Sequence, residues 1–156
     1  MTKIDVEKFR VVGIAVRTSQ RIESSTKRRI PGLWKRFLEE NILQKIPNKV
    51  EPQKIYALYT EYDSDDLGKY TYIIGSEVSE FINIPEGMIG KTVQANNYEM
   101  IQSENGPFEE VVPKVWKTAR SDADLKEQRS YRTDFVCYEA ENEETKGKAQ
   151  LYLGIA

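Results

Sequence analysis

Ile30-Pro31-Gly32-Leu33-Trp34 and Val112-Pro113-Lys114-Val115-Trp116 are one segment written twice: apolar, Pro, any residue, apolar, Trp. Proline is tolerated in a first helical turn, where its missing N–H would have had no partner, so each copy reads as a helix start. Apolar residues continue at helical spacing, with Leu33, Trp34, Phe37, Leu38 and Ile42 in the first copy and Val111, Val112, Val115, Trp116 and Ala119 in the second. Each copy is therefore expected to be an amphipathic helix whose apolar face carries one Trp.

The flanks repeat as well. A β-rich run, Phe9 to Val16, precedes the first helix, and Thr92 to Ile101 precedes the second. Lys54–Tyr62 and Tyr70–Val78 follow the first; Tyr131–Tyr138 and Lys148–Ile155 follow the second. The closing strands share an apolar-apolar-Gly step, at Ile73-Ile74-Gly75 and at Tyr152-Leu153-Gly154. Both halves read strand, helix, strand, strand, which indicates an α+β chain built from duplicated βαββ units. Units of this size are marginal alone, so halves of about 1–80 and 88–156 are expected to pack as one pseudo-symmetric domain spanning 1–156.

Within this frame residues 1–6 read as a loose start and strand one as about Glu7 to Thr18. Gln20–Arg29 reads as a polar loop, helix one as about Ile30 to Lys45, and helix two as about Phe108 to Arg120. Ser121–Gln128 reads as a charged loop and Glu139–Gly147 as a polar turn.

Composition removes several function classes. The chain has 156 residues, 39% hydrophobic and 31% charged, in the ordinary globular range. No apolar run approaches the roughly 20 residues needed to span a bilayer, and the N-terminus lacks a signal-peptide core, so a cytoplasmic protein away from membranes is expected. The single cysteine, Cys137, allows no internal disulfide and fits a reducing compartment. With no histidine, the chain has no Ser-His or Cys-His pair and no imidazole base or zinc ligand. The net charge of −2 and the narrow basic cluster Lys27-Arg28-Arg29 do not make a nucleic-acid footprint. Asp63-Ser64-Asp65-Asp66-Leu67-Gly68 superficially resembles a calcium loop, but Leu67 stands where a ligand belongs and Ile74 where the bidentate Glu belongs. Neither a catalytic residue, nor a metal site, nor a cofactor is expected.

The tyrosines carry the functional signal. In the strand Ile55–Tyr62, Tyr56, Leu58, Thr60 and Tyr62 share one face while Tyr59 and Glu61 share the other; in its partner Tyr70, Tyr72 and Ile74 share a face. A buried Tyr needs a partner for its hydroxyl, so such a sheet suits either the wall of a wet groove or a set of cross-strand surface pairs.

Taken in order, Val12-Gly13-Ile14-Ala15-Val16-Arg17-Thr18-Ser19, Ile30-Pro31-x-Leu33-Trp34-x-x-Phe37, Ile55-Tyr56-Ala57-x-Tyr59-Thr60-x-Tyr62 and Tyr70-Thr71-x-Ile73-Ile74-Gly75-x-Glu77-Val78 form a pattern. It is completed by Val115-Trp116, Arg129-x-Tyr131-x-x-Asp134-Phe135-x-x-Tyr138 and Leu151-Tyr152-Leu153-Gly154-Ile155. This pattern resembles the GyrI-like, or AraC-type effector-binding, domain over essentially the whole chain, and most of all its stand-alone bacterial and integron-cassette members. The resemblance implies antiparallel sheets, two main helices and a central aromatic groove that binds small amphipathic, drug-like molecules without catalysis, in a free-standing module linked to transcription regulation. The implied groove lining is Trp34, Tyr56, Leu58, Tyr72, Trp116, Val136 and Tyr138. The implied partner is a small amphipathic molecule, together with a separate regulator protein if the module works through one, and the protein would be a monomer or a homodimer. The alternatives are a module that binds gyrase or a regulator, and a carboxylate-based hydrolase. Relatives often carry a groove glutamate where this chain has Val136. That change implies either neutral ligands or a substitute carboxylate from Asp134, Glu61 or Glu77.

Overall fold

The computed structural model describes residues 1–65, 67–141 and 145–156. The expected loop Asp63–Gly68 and turn Glu139–Gly147 thus lie partly outside the described residues, at Asp66 and at 142–144. In chain order the elements are β1 (Thr2–Val6), β2 (Phe9–Ser19), α1 (Gln20–Glu23), α2 (Ile30–Glu39), α3 (Ile42–Lys45), β3 (Lys54–Thr60) and β4 (Lys69–Val78). There follow β5 (Ile89–Val93), β6 (Asn96–Gln102), β7 (Gly106–Pro107), α4 (Phe108–Ser121), α5 (Ala123–Gln128), β8 (Thr133–Ala140) and β9 (Lys146–Ile155). The expected α+β composition, the antiparallel pairing and the two main helices are all present.

Among the described residues the strands form one sheet in the order β1-β6-β9-β8-β3-β4-β2-β5, with β7 attached to β9. The centre is the β3–β8 pair, in which Ala57 faces Val136 and Tyr59 faces Asp134. From that centre the order runs outward alike in both directions, through β4, β2 and β5 on one side and β9, β6 and β1 on the other. The edges hold a correction. Residues 1–6 are not a loose start: β1 pairs with β6, from Thr2 opposite Met100 to Val6 opposite Asn96. In return β5, which follows the joint between the halves, pairs with β2. Each repeat lends one edge strand to the other, and the run expected as one strand over Thr92–Ile101 is cut at Gln94-Ala95 into β5 and β6.

The helices differ from expectation in detail. Helix one stops at Glu39, because Asn41 adopts a left-handed conformation (φ 51°), and a separate turn, α3, follows. Pro31 opens α2 as expected, whereas Pro113 lies inside α4 rather than in its first turn. It is exposed there. Gln20–Glu23 and Ala123–Gln128, both expected as loops, form short helices capped by Ser19 and Asp122. Their side-chain oxygens accept from the N–H groups of Ile22 and Leu125.

Both faces of the sheet are covered. Leu33 and Phe37 of α2 and Val111, Val112, Val115 and Trp116 of α4 pack onto Ala57, Tyr72, Ile74, Val136, Tyr138 and Leu151. The opposite face holds a second core of Phe9, Val11, Tyr56, Leu58, Ile73, Tyr98, Phe135 and Cys137. Phe9 of β2 and Phe135 of β8 are three strands apart in the sheet, yet their ring centroids are 5.2 Å apart. Strands in a flat sheet are separated by about 4.8 Å each, so this face must be strongly concave. Gly13 and Gly75, directly paired between β2 and β4, permit the bend: a Cβ on Gly13 would lie 2.0 Å from the Ile74 carbonyl oxygen, and one on Gly75 2.0 Å from that of Val12.

Candidate functional site

Side-chain alternation sorts the aromatic residues by face. Tyr59 on β3, Tyr70 and Tyr72 on β4, and Tyr138 on β8 point toward the helices. Two rings reach down to meet them, and the contacts cross the repeat. Trp34 of α2 meets Tyr138 with centroids 5.1 Å apart, and Trp116 of α4 meets Tyr59 at 4.9 Å, both edge to face. Tyr59 is the hub, with Tyr72 at 4.9 Å and Tyr70 at 5.8 Å, and Tyr62 extends the cluster at 5.6 Å from Tyr70. Tyr62 joins this face against strict alternation because Glu61 before it takes a left-handed backbone (φ 54°) that re-aims the chain. Burial pushes the hydroxyls of Tyr59, Tyr62, Tyr72 and Tyr138 well above their ordinary range, so these walls stay uncharged.

Between the start of α2 and the end of α4 this cluster opens into a cavity of about 270 Å³. Ile30, Tyr59, Tyr62, Tyr70 and Trp116 supply its apolar surface, and Glu23, Arg120 and Arg129 its charges. Each charged group has a traceable state. Glu23 serves the backbone: its carboxylate accepts from the Arg29 and Ile30 N–H groups at 3.0 and 3.1 Å and from the Thr18 hydroxyl. It thereby satisfies donors that would be orphaned at the start of α2, whose N-cap residue offers no side-chain acceptor. Arg129 pairs at 2.7 Å with Asp134, which is fully buried. The same Asp134 oxygen accepts from the Tyr62 hydroxyl at 2.6 Å, and the other accepts from the Gly154 N–H at 2.8 Å. Burial works against the Arg129 charge, but Asp134 outweighs it and the guanidinium pKa is held above its usual value. The Arg120 guanidinium carbon lies 4.8 Å over the Trp116 ring.

Of the seven residues expected to line the groove, Trp34, Tyr72, Trp116, Val136 and Tyr138 gather on the helix face of the sheet. Tyr56 and Leu58 do not: they sit in the opposite core with Phe135 and Cys137. Their place is taken by Tyr59, because β3–β4 pairing sets Tyr59 opposite Tyr72 and Tyr56 opposite Gly75. Of the seven, only Trp116 touches the cavity itself; Trp34, Tyr72 and Tyr138 form the aromatic wall behind it, and Val136 is sealed between Ala57 and Leu151. The substitute carboxylates fare unequally. Asp134 is on the correct face but neutralised by Arg129. Glu61 and Glu77 face the other way, Glu61 bonding Thr71 and Lys91, and Glu77 accepting from the Tyr56 hydroxyl. Glu23, Arg120 and Arg129 were missed because their helices and turns reach the cavity only through tertiary packing.

On the concave face, between the ends of β5 and β6, lies a second depression of about 430 Å³, with Thr60, Glu61, Lys91, Gln94, Asn96 and Arg132 among its walls. No helix among the described residues is long and apolar enough to cross a membrane.

Comparison with known proteins gives a consistent result. Residues 4–155 match the family described as Cass2, integron-associated effector binding protein. YobU of Bacillus subtilis (strain 168), whose name proposes a role as a transcriptional regulator, is 29% identical over 157 residues, spanning 100% of this chain and 95% of that protein. Among solved structures, an integron cassette protein from the mobile metagenome of Vibrio cholerae superposes with a TM-score of 0.83 at 23% identity, covering 99% of this chain and 95% of that one. SAV2435, solved bound to tetraphenylphosphonium, superposes with a TM-score of 0.81 at 14% identity over 99% of this chain and 93% of its own.

Proposed function

The chain belongs to the integron-associated effector-binding family, and from that membership we propose that it binds small amphipathic molecules, without altering them chemically, in the cavity between α2 and α4. The observation that carries this reading is the crossed pairing of Trp116 with Tyr59, which faces the cavity, and of Trp34 with Tyr138 in the wall behind it. Rings held edge to face by both repeats make a rigid apolar wall, and their hydroxyls offer neutral hydrogen bonds to orient a ligand. Two features favour binding over hydrolysis. Asp134 is already committed to three hydrogen bonds, one of them from the Arg129 cation, and Glu23 to three donors, so neither is a free general base. A role in sensing for transcription control is consistent with the name of YobU, and SAV2435 is a protein of the same fold with an amphipathic molecule bound.

Thermal unfolding against a panel of neutral, anionic and cationic amphiphiles tests the proposal. A ligand at one hundred times its dissociation constant adds about 2.7 kcal/mol, which raises the Tm of a chain this size by about 5–10 °C. Tyr59→Ala, which removes the hub of the wall, should abolish the shift. Silence across the panel would turn the reading toward a protein partner, for which the exposed apolar strip Phe81, Ile82, Ile84 and Ile89 is the supporting observation.

A further inference from the structure

Two of the residues that line the cavity, Trp116 and Arg129, each hold a buried donor without an acceptor among the described residues. Trp116 is 7% exposed, and its Nε1 has no hydrogen-bond partner among the described residues. The Tyr59 hydroxyl lies beside it and interacts with it, short of full hydrogen-bond geometry. The corresponding Trp of the first repeat does have a partner: Trp34 Nε1 donates to the Tyr72 hydroxyl at 2.9 Å. The asymmetry has a cause, since β4 presents Tyr70 and Tyr72 to the helices whereas β9 presents Ala149, Leu151 and Leu153, none of which has a side-chain acceptor. Arg129, whose side chain is 7% exposed, is in the same condition: one terminal nitrogen holds Asp134, but its Nε has no hydrogen-bond partner among the described residues. Arg120, at the end of α4, has no ion pair among the described residues and rests over the Trp116 ring.

Among the described residues, two that hold a buried unpartnered donor and one cation without an ion pair thus meet at a single cavity. Buried N–H groups are very rarely left unpaired, and charge-assisted bonds to an oxyanion are the strongest way to satisfy them. The negative groups nearby cannot do so. Both Asp134 oxygens are filled by Arg129, Tyr62 and Gly154, and Glu23 is turned to Thr18 and the start of α2.

Resting on the reading of this cavity as the ligand site, we propose that it selects aromatic anions: flat apolar rings bearing one carboxylate or a similar oxyanion. The rings lie against Tyr59, Tyr70 and Trp116, and the oxyanion accepts from Trp116 Nε1 and Arg129 Nε while Arg120 neutralises it. This preference is opposite in charge to the tetraphenylphosphonium carried by SAV2435. It also accounts for a groove that keeps no free carboxylate.

Isothermal titration calorimetry of the full chain with 2-naphthoate, 2-naphthamide and 2-naphthylmethylammonium separates the charges on one ring system. Naphthoate should bind about tenfold more tightly than the amide, as expected for a charge-assisted bond replacing a neutral one, and the ammonium more weakly still. Arg120→Gln, on an exposed side chain, should bring naphthoate to within about threefold of the amide; Trp116→Phe, which keeps a ring and removes the N–H, should weaken naphthoate more than the amide. If the amide or the ammonium binds as tightly as naphthoate, and Tyr59→Ala still abolishes that binding, the cavity remains the ligand site and the anion selectivity is overturned. If none of the three gives heat with the wild-type chain, the reading of the cavity falls and this proposal with it.

Discussion

Replacing Arg129 by methionine removes a cation and leaves its stem, so the variant isolates the charge. In the native chain Asp134 is fully buried and Arg129 nearly so, with the Arg129 guanidinium nitrogen 2.7 Å from the carboxylate. After the change Asp134 keeps the Tyr62 hydroxyl and the Gly154 N–H but has no countercharge. Removing one partner of a buried pair typically costs about 3–5 kcal/mol, and at roughly 2–4 °C per kcal/mol for a chain this long the Tm should fall by about 6–20 °C. Asp134→Asn alone should cost about as much, because it strands the guanidinium. The double variant Arg129→Met with Asp134→Asn has no buried charge left, so its loss should be smaller than the sum of the two by about 2–3 kcal/mol. Urea unfolding of the four proteins, followed by circular dichroism, measures the cycle. A loss below about 1 kcal/mol for Arg129→Met, the size seen for exposed pairs, or strict additivity in the double variant, would refute the claim that this ion pair acts as a buried one.

Three further outcomes follow from α2 and the sheet. Gly75→Ala places a Cβ 2.0 Å from the Val12 carbonyl oxygen, a backbone atom that cannot rotate away, and should cost about 3 kcal/mol or more in the same unfolding assay; Gly32→Ala, in exposed helix with nothing within 4 Å of the new atom, should instead gain about 0.5–1 kcal/mol. The Cys137 thiol, pushed up to about 11 by burial in the concave core, should react with a disulfide reagent at pH 8 orders of magnitude more slowly than the urea-unfolded chain, and a comparable rate for the folded protein would show that the thiol is exposed.

The start of α2 was legible because local rules govern it. Pro31 and the apolar spacing of Leu33, Trp34 and Phe37 act within a few residues of each other, and they placed α2 where it is found. The left-handed Asn41 that ends it was not legible, since asparagine is compatible with a helix interior and only the packing of α3 separates the alternatives. For β3, alternation correctly sorted Tyr56 and Leu58 from Tyr59. It carried no information on which set meets the helices, and a one-residue choice exchanges every side chain between the two cores.

Two Trp-bearing amphipathic helices, the paired strand order, the Gly75 and Gly154 steps and the aromatic-rich chemistry of the site are all properties of short stretches, so they could be read from residue order. The exchanged edge strands β1 and β5, the crossed contacts of Trp34 with Tyr138 and of Trp116 with Tyr59, and the convergence of Glu23, Arg120 and Arg129 on one cavity join residues far apart in the chain. Such contacts depend on how the sheet curves and which of its faces the helices cover. Those choices belong to the packed whole, because burial is optimised over all the elements together and no segment carries the information alone.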